Sequence, residues 1–220
     1  MIVLHHCPQT RSMRPLWLLH ELGVDFEVRT YPFDKTLRSP AFLAKSPAGR
    51  VPALEIGCET LFETGAITEV LCERFSPDVM GRPAGHAERG AWLSWVHFSE
   101  TISQHAAALT QQHVALREDH MRSAWVMKLE AARIGKCFAA LDGRLDGRDY
   151  LLDGGFSAAD VSCGQAVYLA RYFATFDGFE RLSDWYGRIS ARAGFRASLP
   201  AAEERLFLQT FFAPWDLPAG

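Results

Sequence analysis

From Ala87 to its end the sequence carries no strand signal, whereas the first 62 residues carry four. This division restricts the chain to a sheet-bearing N-terminal unit followed by an all-helical one. Ile2-Val3-Leu4-His5 reads as a short apolar strand. Ser12 then stands as an N-cap, and Leu16, Leu19 and Leu22 form a helical face that ends at Gly23. Phe26, Val28 and Thr30 alternate with Asp25, Glu27 and Arg29, the period of a strand. Residues 32–50 hold loop and short helix, punctuated by Pro32, Pro40 and Pro47. Strands at 53–56 and 59–62 flank a turn at Gly57-Cys58, and a helix over 64–75 places Ile67, Val70, Leu71 and Phe75 on one face. The predicted order is β-α-β-α-β-β-α. Crossovers predict parallel pairing early, and the tight turn predicts an antiparallel pair at the end.

The run Ser76-Pro-Asp-Val-Met-Gly-Arg-Pro-Ala-Gly-His86 is rich in Pro and Gly and reads as a connection. It sets the expected domains at 1–78 and 87–220, with 79–86 as linker. Helices are predicted over 87–115, 120–145, about 158–174, 179–192 and 200–210. Ser157-Ala158-Ala159-Asp160 has capping-box spacing, with Asp in place of Glu, and opens the third.

Composition narrows the function classes. The 220 residues suit one large or two modest domains, and 48% apolar residues suffice for proper cores. A net charge of −3 gives no sign of a nucleic-acid or anionic-membrane partner. No apolar run approaches the roughly 20 residues that span a bilayer. Met1-Ile2-Val3-Leu4-His5 lacks the basic lead of a signal peptide. The five scattered cysteines, Cys7, Cys58, Cys72, Cys137 and Cys163, form no pairing pattern and suit a reducing, cytoplasmic setting. His97, His105 and His113 recur every eight residues on one predicted helix. Each step drifts by about 80°, so the three cannot share a metal. His5-His6-Cys7 lies at a strand end, where neighbours alternate in direction, so no metal is expected.

Arg50 to Ile67 is the segment richest in chemistry. Val51-Pro52 opens a strand with an X-Pro bond expected to be cis. The bend turns the Val51 backbone N–H and C=O outward to pair with an extended peptide. Glu63 and Thr64 begin a helix, where free N–H groups and a hydroxyl favour an anion. Val-Pro, a hairpin and then Glu-Thr-x-Ala-Ile resemble the glutathione-binding half of a glutathione transferase. Gly154-Gly155-Phe156-Ser157-Ala158-Ala159-Asp160 resembles a signal of that family's helical domain, so the resemblance covers essentially the whole chain. It implies an α/β thioredoxin-like N-terminal domain (βαβαββα) and an all-α C-terminal helical domain. It also implies glutathione as co-substrate, no metal, a small hydrophobic electrophile, a role in detoxification and a homodimer. By the same resemblance Glu63 and Thr64 hold the γ-glutamyl end and Val51 with Pro52 meets the cysteinyl backbone. Lys35, Lys45 or Arg50 meets the glycyl carboxylate, with Arg50 nearest the Val-Pro motif.

The loop His5-His6-Cys7-Pro8-Gln9-Thr10-Arg11-Ser12-Met13-Arg14 decides the reaction. A thiolate ahead of the first helix gains from free N–H groups and the helix dipole. Cys7-Pro8 is similar to a glutaredoxin Cys-Pro-x-Cys site with Thr10 in place of the second Cys, and to some omega-type transferases. That alternative implies a thiol-disulfide oxidoreductase or peroxidase working through Cys7. Pro8-x-Thr10-Arg11-Ser12-x-Arg14 resembles many bacterial transferases, in which a hydroxyl, here Thr10 or Ser12, or a backbone N–H stabilises the glutathione thiolate. Arg11 and Arg14 add positive potential in either case. Plainer roles also fit: Cys7 as a small buried residue, Ser12 as an N-cap, Thr10 as a loop hydroxyl, Glu63 and Thr64 as helix-start residues. Trp92, Trp95 and Phe98 fit core packing or a wall of the electrophile pocket. The aromatic tail Phe207 to Trp215 fits a cover for the helical core or for the site. A third possibility, a non-catalytic interaction module of the same fold, sits badly with the retained Glu63-Thr64 pair.

Overall fold

The computed structural model describes residues 1–213. Four strands form one mixed sheet in the order β2-β1-β3-β4: β1 (Ile2–His6), β2 (Glu27–Thr30), β3 (Ala53–Ile56) and β4 (Glu59–Phe62). β1 runs parallel to β2, and β3 is antiparallel to both β1 and β4. Leu4 lies opposite Val28 on one side and Leu54 on the other. Every residue of β1 is buried, as the near-continuous apolar run of an inner strand requires. β2 is different: all four residues are exposed, and Val28 does not reach the core. It is an edge strand with one neighbour, and Phe26 just before it packs against the ring of His20.

Helix α1 (Met13–Leu22) ends on Gly23, whose φ of 63° is the left-handed cap that glycine takes without strain. Its buried surface is wider than the Leu16/Leu19/Leu22 stripe and includes Met13, Arg14, Trp17 and Leu18. The reason is its position, because helices of the C-terminal domain cover the side facing away from the sheet. Trp17 meets the edge of Phe195 at 5.0 Å. A Cβ at Gly164 would stand 2.5 Å from Ile189 Cδ1 and 3.0 Å from the Trp17 ring, so only glycine allows that approach. A short helix α2 (Pro40–Leu43) leads to β3, and α3 (Thr64–Phe75) follows β4.

The C-terminal domain is helical: α4 (Arg89–Thr110), α5 (Ala124–Arg144), α6 (Ala158–Ala170), α7 (Glu180–Ser190) and α8 (Ala193–Ala197). α6 is buried at every residue, and α4 and α1 pack on it. Its capping box is present: the Ser157 side chain accepts from Ala159, and the Asp160 carboxylate accepts from the Ser157 N–H at 3.0 Å. Asp160 also accepts from the Leu151 N–H and from Trp185 Nε1–H, each at 2.9 Å. Trp92 is core: it is buried, and its indole N–H donates to the Met80 C=O at 2.9 Å.

The helix expected over 200–210 is replaced by a single 3-10 turn, Ala202–Glu204. Beyond it the backbone bonds elsewhere. The Phe207 N–H donates to Gln9 Oε1 at 2.8 Å, and the Phe211 N–H donates to the Tyr172 C=O at 2.6 Å. Those two donors cannot also close helical turns. Pro214 and Trp215 of the aromatic tail lie outside the described residues.

Candidate functional site

Val51 and Glu63, which the sequence assigns to a peptide ligand, lie just outside the two ends of the β3–β4 hairpin. The Val51–Pro52 bond is cis. Among the described residues neither the N–H nor the C=O of Val51 takes part in a hydrogen bond. Glu63 takes a φ of 72°, outside the range common for residues with a side chain, and is exposed. The first helical bond of α3 joins the Ile67 N–H to the Glu63 C=O at 3.0 Å. The N–H groups of Thr64, Gly65 and Ala66 are therefore without a helical acceptor.

Thr64 departs from the expected picture. It is buried, and its hydroxyl points inward, donating to Glu100 Oε1 at 2.7 Å and accepting from Arg14 Nη1 at 2.9 Å. Arg14, fully buried, pairs through the same nitrogen with Glu100 and donates through Nη2 to Ser103 Oγ at 3.1 Å and Gln165 Oε1 at 3.3 Å. Arg11 holds the other Glu100 oxygen at 2.7 Å. Burial alone would raise the Glu100 pKa, but Arg14 and Arg11 outweigh it and hold the carboxyl below its ordinary range. One carboxylate from the helical domain thus joins α1, the start of α3 and the loop ahead of α1.

That loop is tied by Ser12. The Ser12 hydroxyl is buried and does not cap α1; it turns back instead. It accepts from the Cys7 N–H at 3.0 Å, lies 3.1 Å from the Cys7 C=O, and sits 2.8 Å from His6 Nδ1 and 2.9 Å from Thr10 Oγ1. Burial pushes His6 down to about 4, so its ring is neutral at pH 7. Cys7 is buried too, and burial with the nearby Asp34 charge pushes its thiol up to about 11. Thr10 keeps partial exposure, and its hydroxyl donates to the Cys7 C=O at 2.7 Å. The N–H groups of Thr10 and Arg11 donate to no group among the described residues. Burial depresses Arg11, and Arg50 and Glu63 both lie near enough to act on its charge.

Of the three cations considered for a terminal carboxylate, Lys45 is already engaged, donating to Glu55 Oε1 at 2.7 Å beside His5 Nε2 at 2.6 Å. Lys35 and Arg50 are exposed and make no ion pair among the described residues.

Comparison with known proteins finds relatives over most of the chain. The N-terminal domain model of glutathione S-transferases matches residues 1–72, and a C-terminal domain model of the same family matches 103–188. Glutathione S-transferase 3 of Schizosaccharomyces pombe is 26% identical over 93% of this chain and 89% of its own length. Glutathione S-transferase 4 of Zea mays is 30% identical over 81% of this chain and 82% of its own. The chain belongs to the glutathione S-transferase family. A glutathione transferase homologue of Lodderomyces elongisporus, solved with two glutathione molecules per subunit, shares the fold at a TM-score of 0.81 and 19% identity, covering 90% of this chain and 96% of that one.

Within this glutathione S-transferase the sequence had pointed to Arg50, Val51, Pro52, Glu63 and Thr64 for the peptide and to Cys7, Thr10 and Ser12 for the sulfur. Arg11 lies between the two sets, close to Arg50 and Glu63 and one residue from Thr10. Glu100 was missed. Its signal was a carboxylate placed four residues after Val96 and three before Ser103, on the buried side of α4, with Arg14 on the buried side of α1. Opposite charges on two buried stripes imply that they meet. Among the described residues no group of three His, Cys, Asp or Glu side chains could hold a metal ion, and no helix is long and apolar enough to cross a membrane.

Proposed function

We propose that this glutathione S-transferase joins the glutathione thiolate to a small hydrophobic electrophile, and that Thr10 carries the activating hydroxyl. The observation that carries the choice is burial. Of the three loop candidates, Cys7 and Ser12 are buried and Thr10 alone keeps accessible surface. The backbone of Val51 receives the cysteinyl residue, Glu63 takes the γ-glutamyl ammonium, and the free N–H groups at the start of α3 take its carboxylate. Thr64 acts through its backbone N–H, since its hydroxyl is held by Arg14 and Glu100. Arg50 meets the glycyl carboxylate.

Glutathione binds as its thiolate, the thiol proton leaving to solvent, and the hydroxyl donors of the loop rearrange to receive the sulfur. Thr10 turns its hydroxyl from the Cys7 C=O to the incoming sulfur. Ser12, 3.1 Å from that same carbonyl, replaces it as donor, while the neutral His6, in its Nδ1–H tautomer throughout, donates to the Ser12 oxygen. The thiolate so stabilised also feels the positive end of α1 and the Arg11 charge, and a thiolate is the form that attacks. The buried, high-pKa Cys7 thiol supports conjugation over disulfide exchange through Cys7. The same reading places the domains at 1–78 and 87–220 with 79–86 between them, and the protein in the cytoplasm as a homodimer serving detoxification.

Turnover of glutathione with 1-chloro-2,4-dinitrobenzene tests this directly. Thr10→Val keeps the shape and removes the hydroxyl, and is expected to lower kcat/KM about 10- to 100-fold at pH 7 and to raise the thiol pKa of bound glutathione. Cys7→Ser is expected to stay within about 3-fold of wild type. The opposite pattern, with Cys7→Ser inactive and Thr10→Val unaffected, overturns the assignment. A folded protein with no turnover at all favours the interaction-module alternative.

A further inference from the structure

Gln9 stands one residue before Thr10, and its surroundings do not follow from glutathione binding. Its backbone takes a φ of 55° and the residue is almost fully buried. The side-chain amide is a three-way junction. Nε2 donates to the Tyr172 hydroxyl at 2.9 Å and to the Tyr168 hydroxyl at 3.2 Å. Oε1 accepts from the Phe207 N–H at 2.8 Å. The orientation of the amide is dictated, because a backbone N–H can only donate and so must face the oxygen. Phe207 is buried, stacks on Tyr172 at 4.9 Å and meets Phe173 edge-on at 5.6 Å. Four residues on, the Phe211 N–H donates to the Tyr172 C=O at 2.6 Å. One glutamine therefore connects the loop that carries Thr10, the end of α6 and the C-terminal segment 206–211. Gln165 adds a parallel tie one turn earlier on α6, donating to the Thr10 C=O at 3.3 Å.

We propose that Gln9 is a positioning residue: it latches the C-terminal segment to the loop before α1, so that this segment sets where the Thr10 hydroxyl points. The catalytic half of this proposal rests on the function proposed above; the latch itself does not. The N–H groups of Thr10 and Arg11 are unbonded among the described residues, so on the side facing the C-terminal segment the loop is held by Gln9 and by the single Gln165 bond to the Thr10 C=O. Removing the amide leaves the Phe207 N–H buried without an acceptor, which costs the latched state about 1–3 kcal/mol, or roughly 5- to 150-fold in its opening equilibrium. The segment and the loop then lose their common geometry together.

The full chain provides the test. Trypsin cleaves after Arg205, which is exposed and adjoins the latched segment. In Gln9→Met, which keeps length but loses all three bonds, cleavage at Arg205 is expected to accelerate about 10-fold or more. Turnover with glutathione and 1-chloro-2,4-dinitrobenzene, counted per folded protein, is expected to fall about 10-fold in kcat while the KM for glutathione stays within about 3-fold, and the thiol pKa of bound glutathione is expected to rise, a shift that loss of folded protein would not give. Should Gln9→Met fail to fold, Tyr172→Phe removes one bond and keeps the stacking on Phe207; it is expected to show both effects at about 3-fold. Unchanged cleavage at Arg205, or kcat and KM changing in parallel, overturns the proposal. Wild type without glutathione turnover overturns the function reading and with it the catalytic half, while the cleavage rates still decide the latch.

Discussion

Glu100→Ala is expected to lower the unfolding free energy by about 2–4 kcal/mol and to abolish most glutathione binding. The cost lies in what is left behind. Arg14 is fully buried, and Glu100 is its only carboxylate among the described residues. Breaking a buried ion pair by removing one partner costs about 3–5 kcal/mol. Solvent reaches the Glu100 side chain, which is 34% exposed, so the lower figure applies. Thr64 loses its acceptor and Arg11 loses its anchor in the same step. Those losses fall at the start of α3 and in the loop, the two places where the ligand is proposed to bind. The pH dependence has a defined sign. Glu100 is depressed in the folded state, so its contribution is present above the ordinary carboxylate range and is lost as pH falls through the folded value. Urea denaturation of wild type and Glu100→Gln should therefore show a stability gap at pH 7 that narrows below about pH 4. A gap independent of pH would show that the pair with Arg14 carries no net electrostatic stability.

Asp160→Ala carries the second large effect, about 3–5 kcal/mol. Three buried N–H groups, on Leu151, Ser157 and Trp185, lose their acceptor at once. Each unsatisfied buried donor costs about 1–3 kcal/mol, and partial relaxation of the 151–157 loop keeps the sum below the maximum. The carboxylate joins the cap of α6, the loop before it and the Trp185 indole of α7, so its loss loosens the centre of the helical domain. Here the pH sign is opposite to that of Glu100. Burial pushes Asp160 up to about 6, so its protonation stabilises the fold below its unfolded pKa, and that contribution is lost as pH rises from about 4 through about 6. Thermal unfolding of wild type and Asp160→Asn across that window should show the wild type gaining on the variant toward acid. A wild-type advantage that grows toward neutral pH would show that the three N–H bonds to Asp160 outweigh its burial and would contradict the raised pKa.

What could be read in the sequence was what short-range chemistry specifies. The Val51–Pro52 bond, the hairpin at Gly57, the Glu63-Thr64 helix start and the Ser157–Asp160 capping box each involve residues within a few positions of one another. What could not be read depends on partners far along the chain. Ser12 looked like an N-cap, but His6 and the Cys7 backbone claim its hydroxyl. Thr64 looked like a ligand hydroxyl, but Glu100, 36 positions away, takes it. Residues 200–210 have helical composition, yet tertiary bonds to Gln9 and Tyr172 draw the segment out of a helix. The loop allowed Cys7, Thr10 or Ser12 because all three are chemically able, and burial, which a sequence does not display, separates them.

The central claim is that glutathione binds across Val51, Glu63 and the start of α3. Isothermal titration of glutathione into the folded full chain tests it most directly, alongside Glu63→Gln, which keeps the shape of the residue and removes its charge. Saturable binding at millimolar affinity or tighter, weakened about 10-fold or more in Glu63→Gln, is the predicted result. No binding at millimolar glutathione, or equal binding by both proteins, would contradict it.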